Sequence, residues 1–297
     1  MQSELLAKSL LRPFKNEIEK RLAEVFSSVE EANDLRKACE YALLGGGKRL
    51  RPLITMMVAH ALDDRFDVRY SSLSVEFFHT ASLIADDLPC MDDESLRRDR
   101  ASLHKLYGES TAILASYTLI ALGYEYLYLN AKEMKTKLSE NSQKADFLCM
   151  LALEKVSKAA GITGATNGQF LDLFPPDQKL NTLEKIISQK TITLFDIAFS
   201  LGWLFGGGDP DLLQEVSLCA YHFGMAFQIA DDIQDRDEDV GKSNNIALLL
   251  GMEEAQEKFF QEMELFTEKL KSLGLMSRPF GALRFLIIES IKKTVLK

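Results

Sequence analysis

The stretch Ala81-Ser82-Leu83-Ile84-Ala85-Asp86-Asp87-Leu88-Pro89-Cys90-Met91-Asp92-Asp93-Glu94 decides how the rest of the chain is read. An apolar run gives way to five carboxylates within nine residues. Carboxylates this dense repel one another, and burying them is costly unless a cation is present. A second cluster, Asp231-Asp232-Ile233-Gln234-Asp235, follows another apolar helical run. At about 100° per residue, Asp231 and Asp235 fall within roughly 40° of each other on one helical face, and Gln228 joins that face from three residues earlier. The first cluster is less regular. On an ideal helix Asp86 and Asp92 sit roughly 240° apart, whereas Asp86 and Asp93 nearly coincide. Pro89 removes a backbone donor and clashes with the carbonyl of Ala85. A kink or bulge is expected there, which would bring Asp92 back toward Asp86. Spacing alone leaves Asp92 and Asp93 as alternatives. One acidic run is usually a solvated helix end; two of similar pattern suggest two walls of one metal site. Oxygen donors without nearby Cys or His suit Mg2+, which takes few carboxylates and shares its other positions with water and substrate phosphates.

Composition narrows the class. The chain has 297 residues, 46% hydrophobic and 27% charged, enough for a large core. Pro is sparse, Gly is modest, and long Leu/Ala/Glu/Lys-rich segments favour an all-α chain. A net charge of −9 argues against nucleic-acid binding. Basic residues cluster instead at Lys48-Arg49-Leu50-Arg51 and Arg97-Arg98-Asp99-Arg100, positive islands that suit a small anionic ligand. Cys39, Cys90, Cys149 and Cys219 match no zinc or disulfide framework and fit a reducing, cytoplasmic compartment. Met1-Gln2-Ser3-Glu4 lacks a signal-peptide pattern. The most apolar stretch, Ala112 to Leu129, is broken by Ser116, Thr118 and Glu125, and reads as a buried central helix rather than a membrane span.

Periodicity predicts a helix over 3–26 with a break at Pro13, and another over 30–44 that ends at Gly45-Gly46-Gly47. Glycines free the backbone to approach a ligand, and Lys48, Arg49 and Arg51 follow, so this stretch reads either as a diphosphate cradle or as a glycine cap beside solvated cations. Helices are expected at 53–62 and at 69–93, the latter carrying the first cluster. His79 lies seven residues before Asp86, on the same face. Residues 95–102 read as a loop, in which Arg97 and Arg98 would either pair with surface carboxylates or grip phosphates. Helices at 110–134, 145–173 (interrupted by Gly161, Gly164 and Gly168), 182–204, 252–272 and 281–295 complete the pattern, with one more carrying Gln228 and the second cluster. Gln169 and Asp172 share a face; Lys190 beside Thr191 reads, by itself, as core-edge packing. No internal repeat or linker appears, so one domain over 1–297 is the expectation.

Taken in order, Gly46-Gly47-Lys48-Arg49-Leu50-Arg51-Pro52, Asp86-Asp87-x4-Asp92 with Leu96-Arg97-Arg98, Gly168-Gln169, Lys190-Thr191 and Phe227-Gln228-x2-Asp231-Asp232-x2-Asp235 resemble the trans-isoprenyl diphosphate synthases, the family of farnesyl and geranylgeranyl diphosphate synthases. The resemblance implies an all-α, single-domain bundle of about ten or more mostly antiparallel helices around a central cavity, the isoprenoid synthase type, and a homodimer. It implies that Asp86 and Asp92 on one wall, and Asp231 with Asp235 on the other, hold about three Mg2+ ions on an allylic diphosphate, with Asp87, Asp93 and Asp232 in support. Arg97, Lys190 and Lys242 would contact that diphosphate. Gly47, Lys48, Arg51, His79 and Arg98 would hold isopentenyl diphosphate, and Thr191 and Gln228 would point oxygens toward the developing cation.

The chain departs from the family pattern in four places. Ala85 stands where many relatives have His. The basic loop continues Asp99-Arg100-Ala101-Ser102 rather than Gly-x-Pro-Thr. Ala230 replaces a common Gln. The region after Asp235 is short, so Lys242 stands in for one of two family lysines. In the family, residues one and two turns before the first cluster floor the chain pocket. Ala81 and Ser82 are small there, and Phe78 lies one turn deeper, which favours a C20 product, geranylgeranyl diphosphate, over the C15 farnesyl diphosphate. A class I terpene cyclase and a non-catalytic subunit of another prenyl synthase are the remaining alternatives. The first lacks the glycine and lysine cradle, and the second would have degraded aspartates.

Overall fold

A computed structural model describes residues 2–27, 33–62, 65–138, 142–238 and 244–295, and among them the long periodic segments are helices. In chain order these are α1 (Gln2–Glu24), α2 (Asp34–Leu43), α3 (Leu50–Leu62), α4 (Arg69–Asp86), α5 (Leu103–Tyr107), α6 (Glu109–Leu138) and α7 (Ser142–Ala160). They continue with α8 (Ala165–Leu173), α9 (Leu180–Ile187), α10 (Thr193–Phe205), α11 (Leu213–Gln234), α12 (Ile246–Leu250), α13 (Met252–Ser272) and α14 (Arg278–Val295). A π-helical turn, Ser188–Ile192, joins α9 to α10. The loop expected at 95–102 is a tight antiparallel hairpin, β1 (Leu96–Arg97) with β2 (Arg100–Ala101).

The buried central helix is α10, not α6. Every residue from Ile197 to Phe205 is buried, and α10 packs on α3, α4, α7 and α11. Backbones must come close for this. A Cβ at Gly202 would lie 2.5 Å from the Thr55 carbonyl oxygen, so α10 and α3 touch where no side chain intervenes. Thr55 Oγ1 also donates to the Ala198 carbonyl, 3.0 Å away. The apolar stretch that sequence reading placed at the centre lies in α6, which packs on α4, α7 and α2 with one face only. Its other face exposes Leu114, Tyr117 and Tyr128. Helix α6 is long and apolar enough to cross a membrane by length and composition, but its packed face lies on the bundle.

Two expected boundaries move. Pro13 lies inside α1 without ending it; the one backbone bond a proline forfeits is small beside the packing of α1 on α14, α3 and α4. Helix α4 stops at Asp86 and does not run to residue 93. Pro89 cannot extend the ladder, and the chain turns instead. All four cysteines are free thiols.

Candidate active site

The turn after α4 does what Pro89 suggested, by ending the helix rather than kinking it. The Asp92 N–H donates to the Asp86 carbonyl oxygen at 2.9 Å, so the loop closes back on the helix end. Asp92 and Asp86 then sit near enough for each to feel the other's charge. Asp93, with φ +49, turns the other way and reaches Lys105 Nζ at 3.4 Å. The geometry therefore separates two carboxylates that spacing left equivalent. Burial pushes the Asp86 carboxyl up to about 6, with Asp92 adding to the shift and Lys190 opposing it.

Asp87 is buried and committed to Arg97, whose Nε and Nη2 both donate to Asp87 Oδ1, the former at 3.0 Å. Burial works against the Arg97 charge, but Asp87 and Asp86 outweigh it and hold its pKa above the ordinary value. Lys190 sits on the π turn and donates to Asp172 Oδ2 at 2.6 Å. It is not the bland core-edge lysine its sequence position suggests: burial opposes its charge, yet Asp86, Asp172 and Asp92 together raise its pKa. A π turn inserts a residue into the helix and re-aims its neighbours. It requires room, which Gly168 on α8 provides, since a Cβ there would lie 2.3 Å from the Lys190 nitrogen.

The second cluster ends α11. Thr191 Oγ1 donates to Gln228 Oε1 at 3.0 Å, and Gln228 Nε2 donates to Asp232 Oδ1 at 2.8 Å. Asp232 Oδ2 accepts from the Ile246 N–H at 2.7 Å, so this buried carboxylate also ties α12 to α11. Asp231 is raised by burial, with Lys48 opposing; Lys48 Nζ lies 3.6 Å from Asp231 Oδ1. Among the described residues no three carboxylates or other metal-binding side chains form one cluster. The donors are oxygens on two walls, a set that suits a hard cation whose remaining positions are filled from elsewhere.

The cradle faces the second wall. Gly46 and Gly47 have φ +82 and +124, conformations that a side chain resists. A Cβ at Gly47 would lie 2.6 Å from the Arg98 guanidinium carbon, and Arg98 Nη1 donates to the Gly46 carbonyl. Lys48 Nζ lies 5.5 Å from the centre of the Phe227 ring, and the Arg51 guanidinium lies 4.4 Å from that of Phe195. Arg51 Nη1 meets His79 Nε2 at 3.3 Å. Arginine only donates, so Nε2 accepts and the imidazole proton is on Nδ1, which is buried without a partner. A cavity of about 550 Å³ opens beside Lys48 and Asp231, floored by Leu50, Leu53, Phe227 and Ile287.

Of the residues singled out in the sequence, Lys242 lies outside the described residues. Ala81 and Phe78 are buried; Ser82 is half-buried and bonds its own helix, Oγ to the His79 carbonyl at 2.9 Å. Sequence reasoning missed the pairing of Asp172 with Lys190, because the two lie on separate helical segments, α8 and the π turn after α9, with a turn at 174–179 between them. It also missed Gly123: a Cβ there would lie 2.6 Å from the Phe78 ring, so α6 makes room for that ring.

The chain matches the family model described as polyprenyl synthetase over residues 32–247. It is 33% identical over 273 residues to geranylgeranyl pyrophosphate synthase 4 of Arabidopsis thaliana, covering 86% of this chain and 68% of that one. It is also 33% identical over 285 residues to the farnesyl diphosphate synthase of Geobacillus stearothermophilus, covering 91% and 93%. It spans 62% of the length of two further Arabidopsis geranylgeranyl pyrophosphate synthases. Among solved structures, the geranyltransferase from Legionella pneumophila superposes with a TM-score of 0.80 at 25% identity, over 98% of this chain and 99% of that one.

The His79 environment sets a pH test. Burial first, then Arg51 and the neighbouring arginines, hold its pKa well below the ordinary value. The stability that this adds is present above pH ~6.5 and is lost as the unfolded chain takes up the proton, with a slope of at most about 1.4 kcal/mol per pH unit. Asp86, raised to about 6, works in the opposite sense over the same range, gaining stability as pH falls. Replacing His79→Gln removes only the first contribution. Urea unfolding between pH ~6.5 and ~5 should then show stability falling less steeply with acid than in the parent; an equal slope would contradict the buried neutral imidazole.

Proposed function

The chain belongs to the polyprenyl synthetase family and is a trans-prenyltransferase, and we propose that it condenses isopentenyl diphosphate with allylic diphosphates to give geranylgeranyl diphosphate as its main product. One observation carries the assignment of roles. Each acidic wall is faced by its own cation, Lys190 against Asp86 and Asp92, and Lys48 3.6 Å from Asp231. Alternating charge of this kind is what a diphosphate and its metal ions complete.

Mg2+ fits the donor set, since half-buried Asp86 and Asp231 both have raised pKa values and gain from a hard cation. Asp86 and Asp92 would hold it on one wall, Asp231 and Asp235 on the other; Asp87, Asp93 and Asp232, already engaged by Arg97, Lys105 and Ile246, would support. When bound, Mg2+ offsets charge on the leaving diphosphate. Lys190 and Arg97 add positive charge at the allylic diphosphate, and Lys242 is the further candidate. Lys48, Arg51 and Arg98, with the Gly47 backbone, hold isopentenyl diphosphate, and the His79 Nδ1–H offers it a buried donor. The hydroxyl oxygen of Thr191 and the amide oxygen of Gln228, joined at 3.0 Å, present lone pairs to the developing cation. Isopentenyl diphosphate attacks with its double bond, and the released diphosphate takes the proton. Holding the two reactants together supplies much of the rate.

The product assignment rests on α4. Ala81 and Ser82, the fifth and fourth residues before Asp86, leave space in the chain pocket, and Phe78 closes it a turn deeper with its ring against Gly123 and Tyr124. We also propose a homodimer through the exposed apolar side chains of α6 and α7, including Tyr117, Tyr128 and Met150. Sedimentation should give twice the chain mass of 33.4 kDa, and a single-chain mass would remove the dimer.

The direct test incubates the protein with Mg2+, labelled isopentenyl diphosphate and, separately, dimethylallyl, geranyl and farnesyl diphosphates. A C20 product is expected. A stop at C15 keeps the enzyme and overturns the product assignment, and no incorporation with any primer favours a non-catalytic subunit. Ala81→Phe should shorten the product; an unchanged profile would take Ala81 out of the pocket floor.

A further inference from the structure

We propose that Arg49 is the positioning residue of the isopentenyl diphosphate cradle, an ion-paired anchor that aims Lys48 and Arg51 without touching the ligand itself. The proposal rests on the reading of that site given above. In the sequence Arg49 is one of three cations after the glycines. The structure sends it the other way. Its side chain is enclosed, with Nη1 donating to Glu76 Oε1 at 2.6 Å and Nη2 to the Leu43 carbonyl at 2.6 Å. Nε donates to Glu19 Oε1 at 2.9 Å. One guanidinium therefore ties α4, the end of α2 and α1 to the residue that immediately precedes α3.

The backbone explains why such an anchor is needed. Arg49 has φ +52, a left-handed conformation that a side chain resists. It follows Gly46 and Gly47, which have no side chains with which to fix themselves. Two guanidinium contacts fasten this loop, Arg98 on the Gly46 carbonyl from outside and Arg49 from inside. Released from Glu76 and Glu19, residue 49 would relax toward negative φ and swing Lys48 away from Asp231 and Arg51 away from His79. Glu76 is 1% exposed, so the pair is also a buried charge pair whose loss from one side alone would destabilise the fold.

That double role dictates the experiment. Arg49→Met combined with Glu76→Leu replaces a buried ion pair by apolar groups, an exchange that often leaves stability unchanged. The double variant should melt within about 3 °C of the parent yet show a KM for isopentenyl diphosphate raised at least about tenfold, with the allylic KM and kcat within about threefold. Glu19→Ala keeps the buried Arg49–Glu76 pair, removes only the partly exposed arm, and should raise the same KM about threefold with little change in melting. Parent-like KM values for isopentenyl diphosphate in a folded double variant, or in Glu19→Ala, would overturn the proposal. Failure of the parent to consume isopentenyl diphosphate would instead overturn the reading of the site.

Discussion

Like charge held in a dry place is the constraint on which the arrangement depends. Asp86 and Asp87 at the end of α4, and Asp231 and Asp232 at the end of α11, are carboxylates whose burial has to be offset, with exposed Asp92 and Asp235 adding like charge beside them. The structure offsets it locally. Asp87 has Arg97, Asp232 has the α12 backbone and Gln228, Asp231 has Lys48, and the pair at Asp86 has Lys190. The raised Asp86 and Asp231 values say that the offset is incomplete where a further cation would sit. Helices ending at their acidic residues, a glycine loop bent to bring a lysine across, and a π turn that re-aims Lys190 are the backbone features that this charge pattern requires.

Much of this was legible in the sequence because it lies in residue type and helical count. The all-α character followed from the scarcity of Pro and the long periodic segments. The face shared by Gln228, Asp231 and Asp235 followed from roughly 3.6 residues per turn, and α11 keeps that count through Gln234. Pro89 correctly marked a disruption, though the chain turns there instead of kinking.

What was not legible lies where the count is broken or where direction, not type, decides. Asp92 and Asp93 are adjacent and identical; only the closure of the Asp92 N–H onto Asp86, with Asp93 in a left-handed turn, tells them apart. Lys190 looks ordinary until the π turn and Gly168 bring it onto Asp172. Lys48, Arg49 and Arg51 look alike, but Arg49 points inward to Glu76. The apolarity of α6 suggests central burial in the sequence because hydropathy does not distinguish a core from a face left open on the chain's own surface.

The central claim is that the two acidic walls are completed jointly by metal ions and a diphosphate. Thermal unfolding with Mg2+ alone, inorganic diphosphate alone and both together tests it without turnover. Both together, each well above its binding constant, should raise Tm by roughly 5 °C, and either alone by no more than about 1–2 °C. A full shift with Mg2+ alone would mean that the protein closes the metal shell by itself, and no shift with both would contradict the account.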